Sequence, residues 1–228
     1  SQRGFATASR SAFLGTERRG RPVTARRPVH GVDIHARLCK AMSQRILRAE
    51  VVSVGTELLL GETVDTNSAW LSARLADAGY DVYWSSRVGD NLERVVAALE
   101  RALGRSDIVL TTGGLGSTDD DLTREAVARI AGEPMFVDAV LEADLRRGYR
   151  DVGLPFSDLT LRQAQRIASA EALPNRVGTA PGWFVRLPEG RIIATLPGPP
   201  RELQAMYDAQ LSPRLPSSGS VLHRHTFK

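Results

Sequence analysis

Residues 107–123 read DIVLTTGGLGSTDDDLT. The apolar run of Ile108, Val109 and Leu110, followed by two β-branched threonines, has the composition of a buried parallel strand. Gly113, Gly114 and Gly116 then end it in a turn whose backbone can approach a ligand closely. A helix is expected next, over residues 120–130, with Leu122, Ala126 and Ile130 on one face. Strand, glycine turn and helix together form the repeating unit of an α/β sheet.

The same alternation runs outward on both sides. Residues 49–55, AEVVSVG, make a first strand. Asp65, Thr66 and Asn67 offer capping oxygens to a helix carrying Trp70, Leu71, Arg74, Leu75 and Ala78 and stopped by Gly79. Residues 81–88 make a second strand. Leu92, Val95, Val96, Leu99 and Leu103 then recur at helical spacing up to Gly104. Further helices are expected over 137–150 and 160–168. A late strand over 190–196 enters the turn Pro197-Gly198-Pro199-Pro200, and a helix over 201–210 follows it. Residues 221–227 make a possible short strand. The pattern predicts an α/β class with right-handed crossovers.

Residues 1–41 stand apart. They hold nine of the 30 Lys and Arg side chains but two of the 26 acidic ones, so residues 42–228 keep 21 bases against 24 acids. The sequence pI near 9.7 therefore belongs to the leader, and a basic nucleic-acid groove is not expected in the body. With no sustained periodicity, residues 1–41 read as a disordered or non-native leader. Residues 42–211 read as the folded domain and 212–228 as a short tail. The one cysteine, Cys39, lies in the leader, which excludes a disulfide or a thiolate metal site in the body. No apolar run approaches the ~20 residues needed to cross a bilayer. A reducing, cytoplasmic setting without membrane attachment is the simplest match.

Three glycines suit a phosphate, yet they run into Asp119, Asp120 and Asp121. One aspartate is explained by a helix dipole, but three in a row next to a phosphate cradle need more. A divalent cation such as Mg²⁺ would reconcile the two, held by carboxylates and holding phosphate oxygens in turn. Glu57, Asp65 and Asp90, each following a predicted strand, could join such a site. For Asp65 and Asp90, helix capping is the competing explanation. Ser117 and Thr118 have no histidine placed to activate them, since His30 and His35 lie in the leader and His223 and His225 in the tail. They suit capping or phosphate hydrogen bonds. Trp70, Trp183 and Tyr83 are expected to pack in or near the core, with Trp183 also placed to stack on a base.

The ordered runs GTELLLGETVDTN, VGDN, TTGGLGSTDDDLTREA, LPNRVGTAPG and LPGPPRELQAM resemble the amino-terminal domain of the CinA family. That family belongs to the wider molybdopterin-binding, MoaB/MogA/MoeA-like superfamily, and the resemblance covers about residues 47–210. It implies a three-layer α/β/α sandwich with a mainly parallel sheet. It also implies hydrolysis of ADP-ribose, dependent on Mg²⁺, Mn²⁺ or Co²⁺, to AMP and ribose 5-phosphate. Asp120 and Asp121, with Glu57 or Asp90, would then be catalytic, and Asp120, Asp121 and Glu57 would hold the metal. Gly113, Gly114, Gly116, Ser117, Thr118, Thr123, Asp65, Asn67, Asn175, Gly178, Thr179 and Pro181 would bind substrate. The alternative is a non-hydrolytic molybdopterin-binding module or an adenylyltransferase-like protein, and FAD-like dinucleotides are also possible substrates. A homodimer and a nucleotide or pterin ligand follow from the same resemblance. Family members often have Pro and His where this chain has Ser117 and Asp119, so the extra charge at Asp119 is expected to alter metal or substrate preference. The carboxy-terminal nicotinamide mononucleotide deamidase domain of full-length CinA proteins lies outside the resemblance, and deamidase activity is not expected of these residues.

Overall fold

The computed structural model describes residues 46–153 and 155–218. The leader, the expected strand over 221–227, and His223 and His225 lie outside the described residues. In chain order the elements are β1 (Arg48–Val54), α1 (Thr56–Leu60), α2 (Thr66–Asp77), β2 (Asp81–Val88), α3 (Leu92–Leu103), β3 (Ile108–Thr112) and α4 (Thr123–Ala131). There follow β4 (Phe136–Val137), α5 (Ala139–Asp151), a 3₁₀ turn (Asp158–Ala164), β5 (Gln165–Arg166), β6 (Ala170–Leu173), β7 (Gly182–Arg186), β8 (Ile192–Leu196) and α6 (Pro200–Met206).

Six strands form one sheet in the order β2-β1-β3-β8-β7-β6. The first four run parallel, while β7 and β6 are antiparallel additions. Strand alternation divides the apolar side chains between the two faces. Val52, Val54, Val109 and Ile193 pack with Val95, Leu99, Ala126 and Val127 of α3 and α4. Val51, Leu110, Ala194 and Leu196 pack on the opposite face with Leu71, Leu75, Leu203 and Met206 of α2 and α6. Helices thus cover both faces, and the expected three-layer α/β/α sandwich is found.

Several expected elements differ. The helix after the glycine loop begins at Thr123, not residue 120, so the aspartates lie in the turn before it. Val137 belongs to β4, which pairs with β5, and Asp138 caps α5 by accepting from the N–H groups of Val140 (2.9 Å) and Leu141 (3.1 Å). The helix expected over 160–168 is instead the 3₁₀ turn followed by β5, because the Asp138 N–H donates to Ala164 O (2.9 Å) and Arg166 Nε to the Asp138 carboxylate (2.6 Å). Those bonds draw the chain into an extended ladder where propensity allowed a helix. The strands β6 and β7 and the short helix Thr56–Leu60 have no counterpart in the sequence pattern. The helix over 201–210 passes into a π turn at Tyr207–Leu211. Trp183 is fully buried between β8 and β6, which removes it from base stacking, whereas Tyr83 is 62% exposed on the edge strand β2 and is not core. Residues 212–218 are held to the body, with the Tyr80 hydroxyl donating to Pro216 O and the Ser218 hydroxyl to Ala78 O (2.7 Å).

One ionic contact lies inside the layers. Glu50 of β1 is fully buried, and its carboxylate accepts from Arg105 Nε (2.9 Å) and Nη2 (2.6 Å) and from the Ser86 hydroxyl (3.1 Å). Arg105 in turn stacks on Trp84. Removing one partner strands a buried charge, which costs far more than the intact pair contributes. Arg105→Ala is expected to lower stability in urea titrations by about 3 kcal/mol. An unchanged midpoint would show that solvent reaches Glu50.

Candidate functional site

Ser53, Thr112 and Leu196 lie level in register, so β1, β3 and β8 end together. The segments 55–67, 113–122 and 197–200 that leave these ends converge on one edge of the sheet. They enclose a cavity of about 460 Å³, completed by Gln163, Thr179, Ala180 and Glu202. Its position is that of ligand sites in open α/β sheets.

Polar side chains lock the convergence. Asn67 Nδ2 donates to Thr112 Oγ1 (3.0 Å) and to Gly198 O (2.6 Å), and Thr112 Oγ1 donates to Pro197 O (3.1 Å). Asp65 caps α2, accepting from the Ser68 N–H (2.9 Å) and from Arg87 Nε (3.3 Å). Burial opposes its ionisation, but the hydrogen bonds it accepts, led by Ser68, outweigh burial and hold its carboxyl below the ordinary aspartate value. Asp90 and Thr56 bond reciprocally, Thr56 N–H to Asp90 Oδ2 (2.8 Å) and Asp90 N–H to Thr56 Oγ1 (3.1 Å). Capping therefore accounts for Asp65, while Asp90 tethers the start of α1.

The glycine loop is shaped first by its own chain. Gly113 (φ 92°) donates its N–H to Leu196 O (3.1 Å), and a Cβ there would collide with the carbonyl of Val54. A Cβ on Gly114 (φ 64°) would collide with the hydroxyl of Thr123, which donates to Gly113 O (2.8 Å). The N–H groups of Gly114 and Leu115, both lining the cavity, donate to no acceptor among the described residues.

The three aspartates divide their work. Asp121 folds back on the loop, its Oδ1 accepting from the Gly116 N–H (2.6 Å) and its Oδ2 from the Thr118 N–H (2.9 Å) and hydroxyl (2.6 Å). Asp119 faces Arg162 (2.9 Å), which also donates to Thr118 O (2.8 Å) and Glu125 (2.8 Å). Its charge therefore meets a guanidinium and not the cavity. Asp120 is exposed and lines the cavity. Glu57, Asp65, Asp90, Asp121 and Glu202 line it as well, and among the described residues no Lys, Arg or His side chain does.

Asp120, Asp121 and Glu57 share this cavity, but among the described residues no three His, Cys, Asp or Glu side chains cluster closely enough to hold a metal ion. The expected metal triad is not assembled, and Asp121 has both oxygens committed to the loop. Ser117, Thr118 and Thr123 also fall outside the lining, Thr123 because it buttresses Gly113 from behind. In the later loop only Thr179 lines the cavity among the expected positions. Asn175 organises that loop, accepting from the Val177 (3.1 Å) and Gly178 (2.8 Å) N–H groups and donating to Glu202 (2.6 Å), and Gly178 lies against the Glu202 carboxylate.

Sequence reasoning missed Gln163, Glu202 and Arg124. Arg124 is 3% exposed and stitches two loops, donating to Leu115 O (2.8 Å) and Pro181 O (2.9 Å). Burial lowers its pKa to about 10, which leaves it charged at neutral pH. The position of Glu202 in the first turn after the proline-rich turn was a usable signal. Nothing local marked Gln163 or Arg124.

Residues 50–217 match the family model of a probable molybdopterin binding domain. A CinA-like protein of Deinococcus radiodurans is 51% identical over 180 residues, which is 78% of this chain and 45% of that protein. One from Deinococcus deserti is 49% identical over 181 residues, 79% of this chain and 45% of its own. The chain thus spans less than half the length of these relatives. The crystal structure of the protein CinA, of unknown function, from Thermoplasma acidophilum is 34% identical with a TM-score of 0.68, covering 73% of this chain and 98% of that one. The molybdopterin biosynthesis enzyme MoaB of Thermus thermophilus shares the fold at 22% identity and a TM-score of 0.51, with coverage of 76% and 94%.

Two carboxylates give direct tests. Asp65→Ala is expected to cost about 1 kcal/mol at neutral pH through the lost cap. Because the folded-state pKa of Asp65 is lowered, its contribution is complete above the ordinary value of 3.8 and is lost as pH falls through the lower folded value. The gap between wild type and variant in denaturant midpoints should therefore close below pH 3.8. Asp121→Ala frees the Gly116 and Thr118 N–H groups and is expected to destabilise by about 2 kcal/mol. Unaltered stability would release Asp121 for a catalytic role.

Proposed function

The chain belongs to the family of probable molybdopterin-binding domains, in its CinA-like branch, and on that premise we propose that it binds a small phosphorylated heterocycle of the molybdopterin class at the carboxyl edge of its sheet. The observation that carries this reading is the pair of uncommitted N–H groups, Gly114 and Leu115, in a cavity without a basic side chain among the described residues. Successive N–H groups in a turn with left-handed residues form a concavity for an anion, and here they are the donors suited to a phosphate. The remaining wall is rich in acceptors, chiefly Glu57, Asp120 and Glu202, which suit the amino and amide N–H groups of a pterin ring. A cavity of about 460 Å³ is of a size to hold such a ligand.

A second reading, hydrolysis of the diphosphate of ADP-ribose-type nucleotides, rests on Glu57. Its carboxylate lines the cavity and is engaged by no hydrogen-bond donor among the described residues, which leaves it free to take a proton from an attacking water. Binding without turnover is favoured because, among the described residues, no three His, Cys, Asp or Glu side chains stand close enough together to hold a cation that would offset the charge of a diphosphate.

Calorimetric titration of the full chain with neopterin monophosphate, neopterin and ADP-ribose separates these readings. AMP release should be followed in parallel with Mg²⁺, Mn²⁺ or Co²⁺ and with EDTA. Binding of the phosphorylated pterin at least about tenfold tighter than neopterin, without AMP release, is the expected result. AMP release that Glu57→Gln abolishes would establish the hydrolase instead. Binding of none of these by folded protein would overturn both.

A further inference from the structure

Gln163 lies on the 3₁₀ turn Asp158–Ala164, is 4% exposed, and lines the cavity. Its carboxamide oxygen is buried without a hydrogen-bond partner, and its amide nitrogen donates to nothing among the described residues. A carboxamide oxygen sealed from solvent without a donor is disfavoured in a folded protein unless something else supplies the partner, and the unpaired nitrogen beside it is the end left open. The backbone that carries it is fixed from both sides. Arg162, one residue earlier, is clamped on Thr118 O, Asp119 and Glu125, and Ala164 O accepts from the Asp138 N–H (2.9 Å). The turn therefore cannot swing away to find a partner, whereas the terminal amide torsion is soft and can present either end to the cavity.

We propose that Gln163 reads the heterocycle of the ligand, its carboxamide pairing with an edge that carries a hydrogen-bond donor beside an acceptor. The amide edge of a pterin ring has that chemistry, and so does the amino-and-ring-nitrogen edge of adenine. Both resemble the two-point pairing by which glutamine recognises a base. The assignment rests on the binding function proposed above and adds to it a division of labour. The glycine loop takes the phosphate and Gln163 takes the ring, so specificity resides in the segment between β4 and β5, outside the parallel strands. Gln163 is a specificity-determining residue on this account and takes part in no bond-making step.

Gln163→Met keeps the length of the side chain and removes both polar ends, while Gln163→Glu keeps the size and removes the donor. Each full-chain variant should be titrated with neopterin monophosphate, ADP-ribose and ribose 5-phosphate, and its thermal midpoint measured without ligand. The expected result is about tenfold weaker binding of whichever heterocyclic probe the wild type holds, with ribose 5-phosphate unaffected. The unliganded Tm of Gln163→Met should be unchanged or higher, since no internal hydrogen bond is lost. Which probe weakens tells pterin from adenine. Equal weakening of all three probes would place Gln163 at the phosphate and overturn the assignment. A Tm several degrees lower in both variants would show that the amide is satisfied within the protein, with the same consequence. Wild-type binding that neither variant changes would refute the role of Gln163 alone, whereas a wild type that binds none of the probes would remove the binding function with it.

Discussion

The level ending of β1, β3 and β8 is the constraint from which the rest of the site follows. Parallel strands in register deliver their carboxyl ends to one edge, and three chain segments must then leave through the same small volume. The crowding is severe enough that the place of a Gly113 side chain is taken by the carbonyl of Val54. Asn67 and Thr112 convert the crowding into a lattice of hydrogen bonds that joins α2, β3 and the turn after β8. A cavity framed this way is held by backbone and buried polar groups, so its walls are set before any ligand arrives.

The apparent conflict between glycines and aspartates is resolved inside the protein. Asp119 is turned to Arg162 and away from the cavity, and Asp121, although it lines the cavity, has its charge partly met by the loop's own N–H groups. Arg124, charged and buried behind Leu115, brings a compensating positive charge close to the loop. The cavity is then lined by Asp120 with Glu57 and Glu202, and by the tied carboxylates of Asp65, Asp90 and Asp121. That distribution suits a ligand with one anionic end and one end rich in N–H groups. It suits a bare diphosphate poorly, because like charges would meet across a partly enclosed space.

The sheet was legible because its signals are local. The runs AEVVSVG and DIVLTT are continuous apolar stretches ended by turn residues, and Leu92 to Leu103 repeats with helical period, so burial on both faces follows from the order of residues alone. The antiparallel pair β6 and β7 was hidden although Trp183, Phe184 and Val185 have strand chemistry, because their pairing depends on β8 arriving from later in the chain. The segment 160–168 misled for a related reason. Its spacing permits a helix, and only the contacts to Asp138 and Glu125 turn it into a 3₁₀ turn and a strand.

By itself the sequence determined the α/β class, the position of the cradle after β3, and the set of carboxylates near the strand ends, since each depends on neighbours within a turn or two. The tertiary structure alone decided which of those groups face a ligand. Asp121 and Asp120 are adjacent and chemically identical and both line the cavity, yet Asp121 has its oxygens taken by Gly116 and Thr118 while those of Asp120 are left to the cavity. Gln163 enters the same cavity from a segment that no local pattern links to it. Hydrogen bonds between residues distant in the chain assign these roles, and their geometry exists only once the three layers have packed.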